Sequence, residues 1–281
     1  MKIGIAFSPA DFSIMPDELG RAVEDRGFDI LVATEHTHIP VEINSKMPTG
    51  RAAPPEHHRN LYHQNLWLSA AASATSKLIV GPGACMVAQH DPIDLAREIA
   101  TMDRLSHGRV LFAIGYGWLE EEIADHGVDP RKRWGVAREK TLAIKEIWTA
   151  EIASFSGKYV NFVPSYFGPK VYQSPHPPVF IGAGATPLSL SHLVEFGDGW
   201  LMRYGVDVEA LARMRQKAEE VGRDPGTIRL AAHRTAPTAE NLEFQASQGL
   251  EFVTLTVEPT TRDEVLRKLD ELVAVVQELR G

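Results

Sequence analysis

The chain has 281 residues, 44% hydrophobic and 23% charged, which is typical of a soluble globular protein with room for one barrel or two smaller α/β domains. The 29 basic and 37 acidic residues give a formal net charge of −8 without a long run of like charges, which argues against a nucleic-acid-binding groove. One cysteine excludes a disulfide framework within the chain, and no apolar run approaches the length of a membrane span, so we expect a cytoplasmic protein.

Short apolar runs alternate with helical patterns along the whole chain. The predicted strands are residues 3–7, 30–33, 78–80, 110–114, 179–181, 200–202, 228–232 and 252–257. The predicted helices are residues 16–26, 66–75, 92–105, 135–148, 187–196, 208–221 and 239–247, and a last one after Thr261, which is spaced with Glu264 as a capping box. Eight strands alternating with eight helices predict an α/β fold, the (β/α)8 TIM barrel.

A doubly wound parallel sheet is the competing fold. Such a sheet needs a glycine-rich nucleotide fingerprint after its first strand. Here the first strand ends in Ser8-Pro9-Ala10, which contains no glycine. The sequence therefore favours the barrel.

The segment 78–118 shows the pattern most clearly. A short apolar strand leads into a helix that begins at Asp91-Pro92, and Leu95, Ile99 and Met102 form one apolar stripe on that helix. A second strand then runs into a glycine-rich turn at residue 115. The right-handed crossover makes the two strands parallel, and active sites in barrels lie on the loops beyond the carboxyl ends of the strands.

Two segments interrupt the alternation of strands and helices. Residues 37–64 hold four prolines and four histidines between the second strand and its helix, and a loop of this length is usually functional, such as a lid. Residues 151–178 predict an inserted small hairpin followed by a proline-rich run. We expect residues 1–281 to form one domain.

The second strand ends in Glu35 and His36, at the face where barrels carry their active sites. A carboxylate beside an imidazole predicts a general acid/base pair, since the carboxylate can fix the tautomer of the histidine. The alternative is a hydrogen-bonded pair that only closes the strand. His36 and His38 also fit a metal-binding pair, but other strand ends offer only His233 and Glu258 as further ligands, so we expect no metal.

Three other strand ends carry residues that could bind a cofactor. Small residues at the start of a helix leave backbone N–H groups open to an anion, as in the turn after the fifth strand that comprises Gly182, Ala183, Gly184, Ala185 and Thr186. A flat heterocycle could lie against bare backbone and an aromatic ring at the mouth of the fourth strand, where the chain has Gly115, Tyr116, Gly117 and Trp118. Cys85, after the third strand, is interpreted as a buried structural thiol.

Taken together, these segments resemble the luciferase-like monooxygenase family, and within it the F420-dependent oxidoreductases. The resemblance covers essentially the whole chain. The segments that carry it are Thr34-Glu35-His36, residues 103–109 (DRLSHGR), residues 115–122 (GYGWLEEE), residues 175–184 (PHPPVFIGAG) and residues 197–200 (GDGW).

The resemblance implies that a deazaflavin or flavin lies across the carboxyl-end mouth of the barrel, with its phosphate at residues 182–186. It also implies a non-proline cis peptide after the third strand, which we expect at Cys85-Met86, behind the cofactor ring. Some deazaflavin dehydrogenases of the family carry a glutamate acid directly after the glycines of the fourth strand, where this chain has Trp118. The resemblance therefore implies His36, oriented by Glu35, as the acid/base, and not a sugar-phosphate dehydrogenase.

The resemblance leaves three functions open. The first is hydride transfer between coenzyme F420 and a small organic substrate, and the second is FMN-dependent monooxygenation. The third is a flavin-binding protein without turnover. Family members are commonly dimers, so a homodimer is expected, without a nucleic-acid or membrane partner.

Overall fold

The computed structural model describes residues 1–47, 49–51 and 53–280. Residues 279 and 280 are described by their backbone only. Pro48, one of the prolines of the predicted loop, and Gly281, the end of the predicted domain, lie outside the described residues. Within this part of the chain, the strands and helices follow the alternation that the sequence predicts.

Eight parallel strands form one sheet, and a two-stranded hairpin lies apart from it in the described residues. The sheet strands are β1 (Lys2–Phe7), β2 (Ile30–Ala33), β3 (Ile79–Pro82), β4 (Phe112–Ile114), β7 (Val179–Ile181), β8 (Gly199–Arg203), β9 (Arg229–His233) and β10 (Phe252–Val257). The hairpin, β5 (Ile152–Ser156) and β6 (Asn161–Tyr166), lies in the predicted insertion.

The sheet closes on itself between β3 and β4. Its order is β3-β2-β1-β10-β9-β8-β7-β4, and parallel bridges join the two ends, Val80 with Val110 and Cys85 with Ile114. Side chains inside the ring, such as Phe180 and Phe252 with ring centroids 5.3 Å apart, fill its interior. The predicted TIM barrel is confirmed.

Helices surround the barrel because each carries an apolar face that packs on the outside of the strands. They are α1 (Pro16–Asp25), α2 (Gln64–Ser73), α3 (Pro92–Leu105), α4 (Glu120–Asp125), α5 (Arg133–Thr149), α6 (Pro187–Phe196), α7 (Val208–Glu220), α8 (Ala239–Ser247) and α9 (Arg262–Arg280). No helix in the described ranges is long and apolar enough to cross a membrane.

Among the short helical elements that were not predicted from the sequence, two matter for the site. One is α4, which follows the glycine turn after β4. The other is a 3-10 helix, Glu56–Asn60, within the predicted loop 37–64. Both bring polar side chains to the carboxyl-end mouth, so both matter for the site.

Candidate active site

The turns after β3, β4 and β7 meet at the carboxyl-end mouth of the barrel. A Cβ atom added to Gly115 would lie 2.7 Å from the Met86 Cε atom and 3.4 Å from the Ala84 Cβ atom. A Cβ atom added to Gly182 would also lie 3.4 Å from Ala84 Cβ. The three turns predicted to bind the cofactor are therefore in contact with one another.

The prediction of a cis bond at Cys85-Met86 is wrong, because the non-proline cis peptide lies at Gly83-Ala84. The reason lies in the register of the sheet. Gly83 N–H still bonds to the Ala33 carbonyl, and Cys85 N–H already bonds to the Ala113 carbonyl of the next strand at 2.8 Å. The cis bond therefore falls between Gly83 and Cys85. The fully buried Cys85 side chain lies in the barrel wall instead of lining the mouth.

His36 pairs with a carboxylate that the sequence analysis did not select. Its Nδ1 atom lies 2.9 Å from Oε2 of Glu122, which is on α4. Glu122 Oε1 accepts the backbone N–H of Thr37 at 2.7 Å and its hydroxyl at 3.1 Å. Burial raises the pKa of Glu122, but the hydrogen bonds and positive charge from His36 and those from Thr37 outweigh it, so the pKa is below its usual value.

The predicted role of Glu35 in orienting His36 is wrong. Successive residues of an extended chain point to opposite sides, so neighbouring side chains at a strand end cannot both face the mouth. Glu35 accepts the Met86 N–H and contacts His90 Nε2 at 2.7 Å. Burial lowers the pKa of His90, but the hydrogen bond and charge of Glu35 together with the charge of Glu98 outweigh burial, so the pKa is above its usual value. Glu35 thus holds the loop after β3.

The described residues do not build a metal site from His36 and His38. His36 bonds to Glu122, whereas His38 Nε2 lies 3.0 Å from Asp125 Oδ2, so the two rings have different partners. Ligand atoms of Glu35, Cys85 and His90 do lie within 4.8 Å of one another. However, burial raises the pKa of the Cys85 thiol, and Glu35 and His90 already bond to each other. This group is satisfied without an ion.

The aromatic residues after β4 take different positions. The Tyr116 ring is 5% exposed and stacks on Trp134 with ring centroids 3.6 Å apart, and its hydroxyl lies 2.8 Å from His192 Nδ1. Because the Tyr116 ring is buried and already stacked on Trp134, the prediction that Tyr116 could stack on a cofactor is wrong. Trp118 is half-buried, with its ring edge-on to His36 at 5.9 Å.

The turn after β7 offers unpaired backbone donors. The Thr186 hydroxyl accepts the Ser189 N–H at 3.1 Å and caps α6, so it serves the helix. Among the described residues, no acceptor bonds to the N–H groups of Ala183, Gly184 and Ala185. Three free donors just before a helix N-terminus make a suitable place for an anion.

Residues 17–274 match the model of a family described as luciferase-like monooxygenase. The chain belongs to the luciferase-like monooxygenase family.

The relatives and solved structures that this chain resembles include proteins named as F420-dependent. An uncharacterised protein of Mycobacterium tuberculosis is 34% identical over 279 residues, 98% of each chain. The F420-dependent glucose-6-phosphate dehydrogenase of Amycolatopsis mediterranei is 31% identical over 149 residues, 51% of this chain and 43% of that protein. The F420-dependent tetrahydromethanopterin reductase of Methanopyrus kandleri shares the fold, with a TM-score of 0.75, 18% identity and 99% of each chain covered.

In this member of the luciferase-like family, two further residues at the mouth of the barrel, Arg234 and His58, were not selected from the sequence. Arg234, directly after β9, donates from Nη2 to Thr34 Oγ1 at 3.0 Å, so its side chain reaches the segment that carries His36. His58, from the 3-10 helix, packs against the His36 ring with centroids 4.9 Å apart. The His57-His58 pair was visible in the sequence, but no spacing rule connects it with strand ends.

Proposed function

We propose that the protein is an F420-dependent oxidoreductase that transfers a hydride between the deazaflavin coenzyme and a small organic substrate. Membership of the luciferase-like family and the F420-dependent relative support this proposal. The observation in the site that carries it is the His36–Glu122 pair at the mouth, beside the turn after β4 that holds Trp118.

The residues present fit a planar cofactor with a phosphate. A side chain at position 115 or 182 would collide with its neighbours, so the wall between them stays flat. A Cβ atom at Gly184, by contrast, would meet nothing within 4 Å, so this turn is open. Ala84 and Gly115 would contact the ring, and the N–H groups of residues 183–185 would hold the phosphate. When bound, the coenzyme supplies a carbon centre that accepts or donates a hydride.

The chain itself supplies the proton chemistry through His36. Glu122 is ionised and can only accept a hydrogen bond, so Nδ1 of His36 carries the proton of their shared bond. When His36 is unprotonated at Nε2, its lone pair is on this atom, which has no hydrogen-bond partner in the described ranges and is not fully enclosed. Nε2 can take the proton of a substrate hydroxyl, and Glu122 stabilises the imidazolium that forms.

Turnover without oxygen tests this function. Purified protein with oxidised F420 and a panel of small alcohols, or with reduced F420 and the matching carbonyl compounds, should show a substrate-dependent change in deazaflavin absorbance. The His36→Ala variant should lower this rate at least about 100-fold, which is the usual contribution of a general acid/base. His63→Ala, which removes an exposed histidine of the same loop segment, is the control and should leave the rate unchanged.

Other outcomes contradict the proposal in distinct ways. Oxygen consumption with reduced FMN, and no reaction with F420, would assign the chain to the FMN-dependent monooxygenases. Binding of a flavin or deazaflavin without any turnover would favour the non-catalytic binding protein. An unchanged rate in the His36→Ala variant would leave hydride transfer standing but reject His36 as the acid/base.

A further inference from the structure

We propose that the substrate is a small hydroxy or oxo acid, and that Arg234 binds its carboxylate beside His36. This inference rests on the proposed function, since it names the class of substrate for that same site. Two observations support it. Among the described residues, the guanidinium of Arg234 at the mouth has no ion-pair partner, and the imidazole of His58 nearby has no hydrogen-bond partner.

The first observation is the state of the Arg234 guanidinium. Its Nη2 atom donates to Thr34 Oγ1 at 3.0 Å, and its Nε atom donates to His233 Nε2 at 3.3 Å. In the described part of the chain, no carboxylate lies within ion-pair distance of it, and Nη1 has no partner. Burial lowers the pKa of Arg234, so this cation has lost part of its hydration without gaining a counter-ion.

The charge around Arg234 is positive. After burial, the charge of Glu258 has the largest effect on the pKa of Arg234 and raises it, whereas Arg203 and Arg51 lower it. The Glu258 side chain is 64% exposed and lies 3.9 Å from His57 Nε2, so it remains hydrated and forms no ion pair with Arg234. Three guanidinium groups against one exposed carboxylate favour an anionic ligand over a neutral one.

The histidine next to Arg234 does not balance the charge of the guanidinium. Burial, followed by the charges of Arg234 and Arg203, lowers the pKa of His233 to about 3, so this ring is neutral near pH 7. His233 accepts the Arg234 Nε–H through Nε2, and its Nδ1 atom lies 3.0 Å from Thr254 Oγ1. Its role is therefore to position the guanidinium.

The second observation is His58. Burial, then the charges of His36, His57 and Arg234, lower the pKa of His58 to about 3, so this ring is also neutral. The residue is 8% exposed, and neither ring nitrogen has a hydrogen-bond partner in the described part of the chain. Buried polar atoms in proteins are normally paired, so the unpaired N–H of His58, whose ring packs against His36, indicates that a polar group binds here.

The backbone at Arg234 also indicates a functional position. Arg234 has φ of 57°, in the left-handed region that non-glycine residues rarely adopt. In that conformation its backbone N–H donates to Thr254 Oγ1 at 3.2 Å, while its side chain reaches Thr34, two residues before His36. An unfavourable conformation that directs a cation to the reactive residue is typical of a binding site.

In this proposal, Arg234 holds the carboxylate of the substrate close to the carbinol carbon that loses the hydride. For a hydroxy acid, the carbinol C–H bond breaks and its hydride passes to the oxidised deazaflavin. The hydroxyl proton passes to His36 Nε2, and the C–O bond becomes the carbonyl of an oxo acid. The carboxylate is unchanged and keeps its charge on Arg234. The predicted phosphate turn follows β7, with β8 between it and β9, so the two anions occupy different sectors of the mouth.

Binding of lactate and of lactamide, its neutral analogue, tests this assignment. In the protein loaded with reduced F420, which cannot accept a hydride from lactate, NMR titration should show that sodium lactate binds at least about 10-fold more tightly than lactamide, as expected for hydrogen bonds to a charged group. Arg234→Gln should abolish this preference, and Arg234→Lys should retain part of it. The control is Arg229→Gln, at the opposite end of the same strand, where the arginine pairs with Glu251 at 2.6 Å; the preference should remain there.

The possible results separate this inference from the proposed function. Equal binding of lactate and lactamide, or a lactate preference that survives Arg234→Gln, would overturn the inference even if F420 turnover is found. A lactate preference in the unloaded protein that depends on Arg234, without any F420 turnover, would support the subsite and reject the proposed function. If Arg234→Gln weakens F420 binding about 10-fold and lactate shows no preference, Arg234 binds the acidic tail of the coenzyme and the inference is wrong.

Discussion

At the residue scale, the acid/base group illustrates what a local pattern can and cannot predict. His36 was identified from its place at the end of a strand. Its carboxylate partner is Glu122, 86 residues away along the chain, and not the adjacent Glu35. Adjacency in an extended segment directs side chains apart, whereas the fold brings distant residues together. Glu122 could not be chosen from the acidic run Glu120-Glu121-Glu122 without knowing which side of α4 faces the mouth.

His58 makes a prediction for the pH dependence of stability. Its folded-state pKa of about 3 lies below the ordinary value of 6.5, so the unfolded chain binds the proton more tightly. The difference between the folded and unfolded pKa of His58 therefore has no effect on stability above about pH 6.5, and it destabilises the fold progressively as pH falls toward 3. Between pH 7 and pH 5, one such histidine should remove about 2 kcal/mol from the free energy of unfolding.

Guanidinium unfolding of the wild type and of His58→Phe at pH 7 and pH 5 measures this effect. The loss of stability between the two pH values should be about 2 kcal/mol smaller in the variant. His63→Phe, at an exposed histidine, should lose as much stability as the wild type. Equal losses in His58→Phe and the wild type would show that His58 is not buried in its neutral form.

At the element scale, the strands were predicted closely because they are short, largely apolar runs between turn residues. The structure shifts their ends by two residues at most, as in β3, which continues to Pro82. The six-residue α4 could not be predicted, since it is shorter than two turns and shows no apolar period. The same holds for the 3-10 helix that carries His58. Much of the unexpected chemistry of the site thus comes from these two short elements.

The seam between β3 and β4 gives a prediction about barrel closure. A Cβ atom at Gly81 would lie 2.2 Å from the Leu111 carbonyl oxygen, which belongs to the backbone and cannot rotate away. Gly81→Ala should therefore lower the free energy of unfolding by about 2 kcal/mol or more, as for overpacked interiors.

The matched control for Gly81→Ala is Gly184→Ala. A Cβ atom at position 184 meets nothing within 4 Å, so this change should alter stability by less than about 1 kcal/mol. Chemical denaturation of both variants provides the comparison. A Gly81→Ala protein as stable as the wild type would mean that the strands at the seam are farther apart than described here.

At the scale of the whole molecule, the alternation of strands and helices was sufficient to predict the barrel and the end at which its site lies. That part follows from periodicity and handedness, which are local properties of the chain. The direction of individual side chains at the mouth depends on register, which fixed the cis bond at Gly83-Ala84 and enclosed Tyr116. A single domain, a homodimer, a cytoplasmic location and the movement of residues 37–64 stay predictions.

The central claim is that the mouth of this barrel binds deazaflavin in preference to flavin. Fluorescence titration of the purified protein with F420 and, separately, with FMN tests it most directly. The account predicts saturable binding of F420 at least about 10-fold tighter than that of FMN, a difference in binding free energy of about 1.4 kcal/mol. Tighter binding of FMN, or no saturable binding of F420, would contradict it.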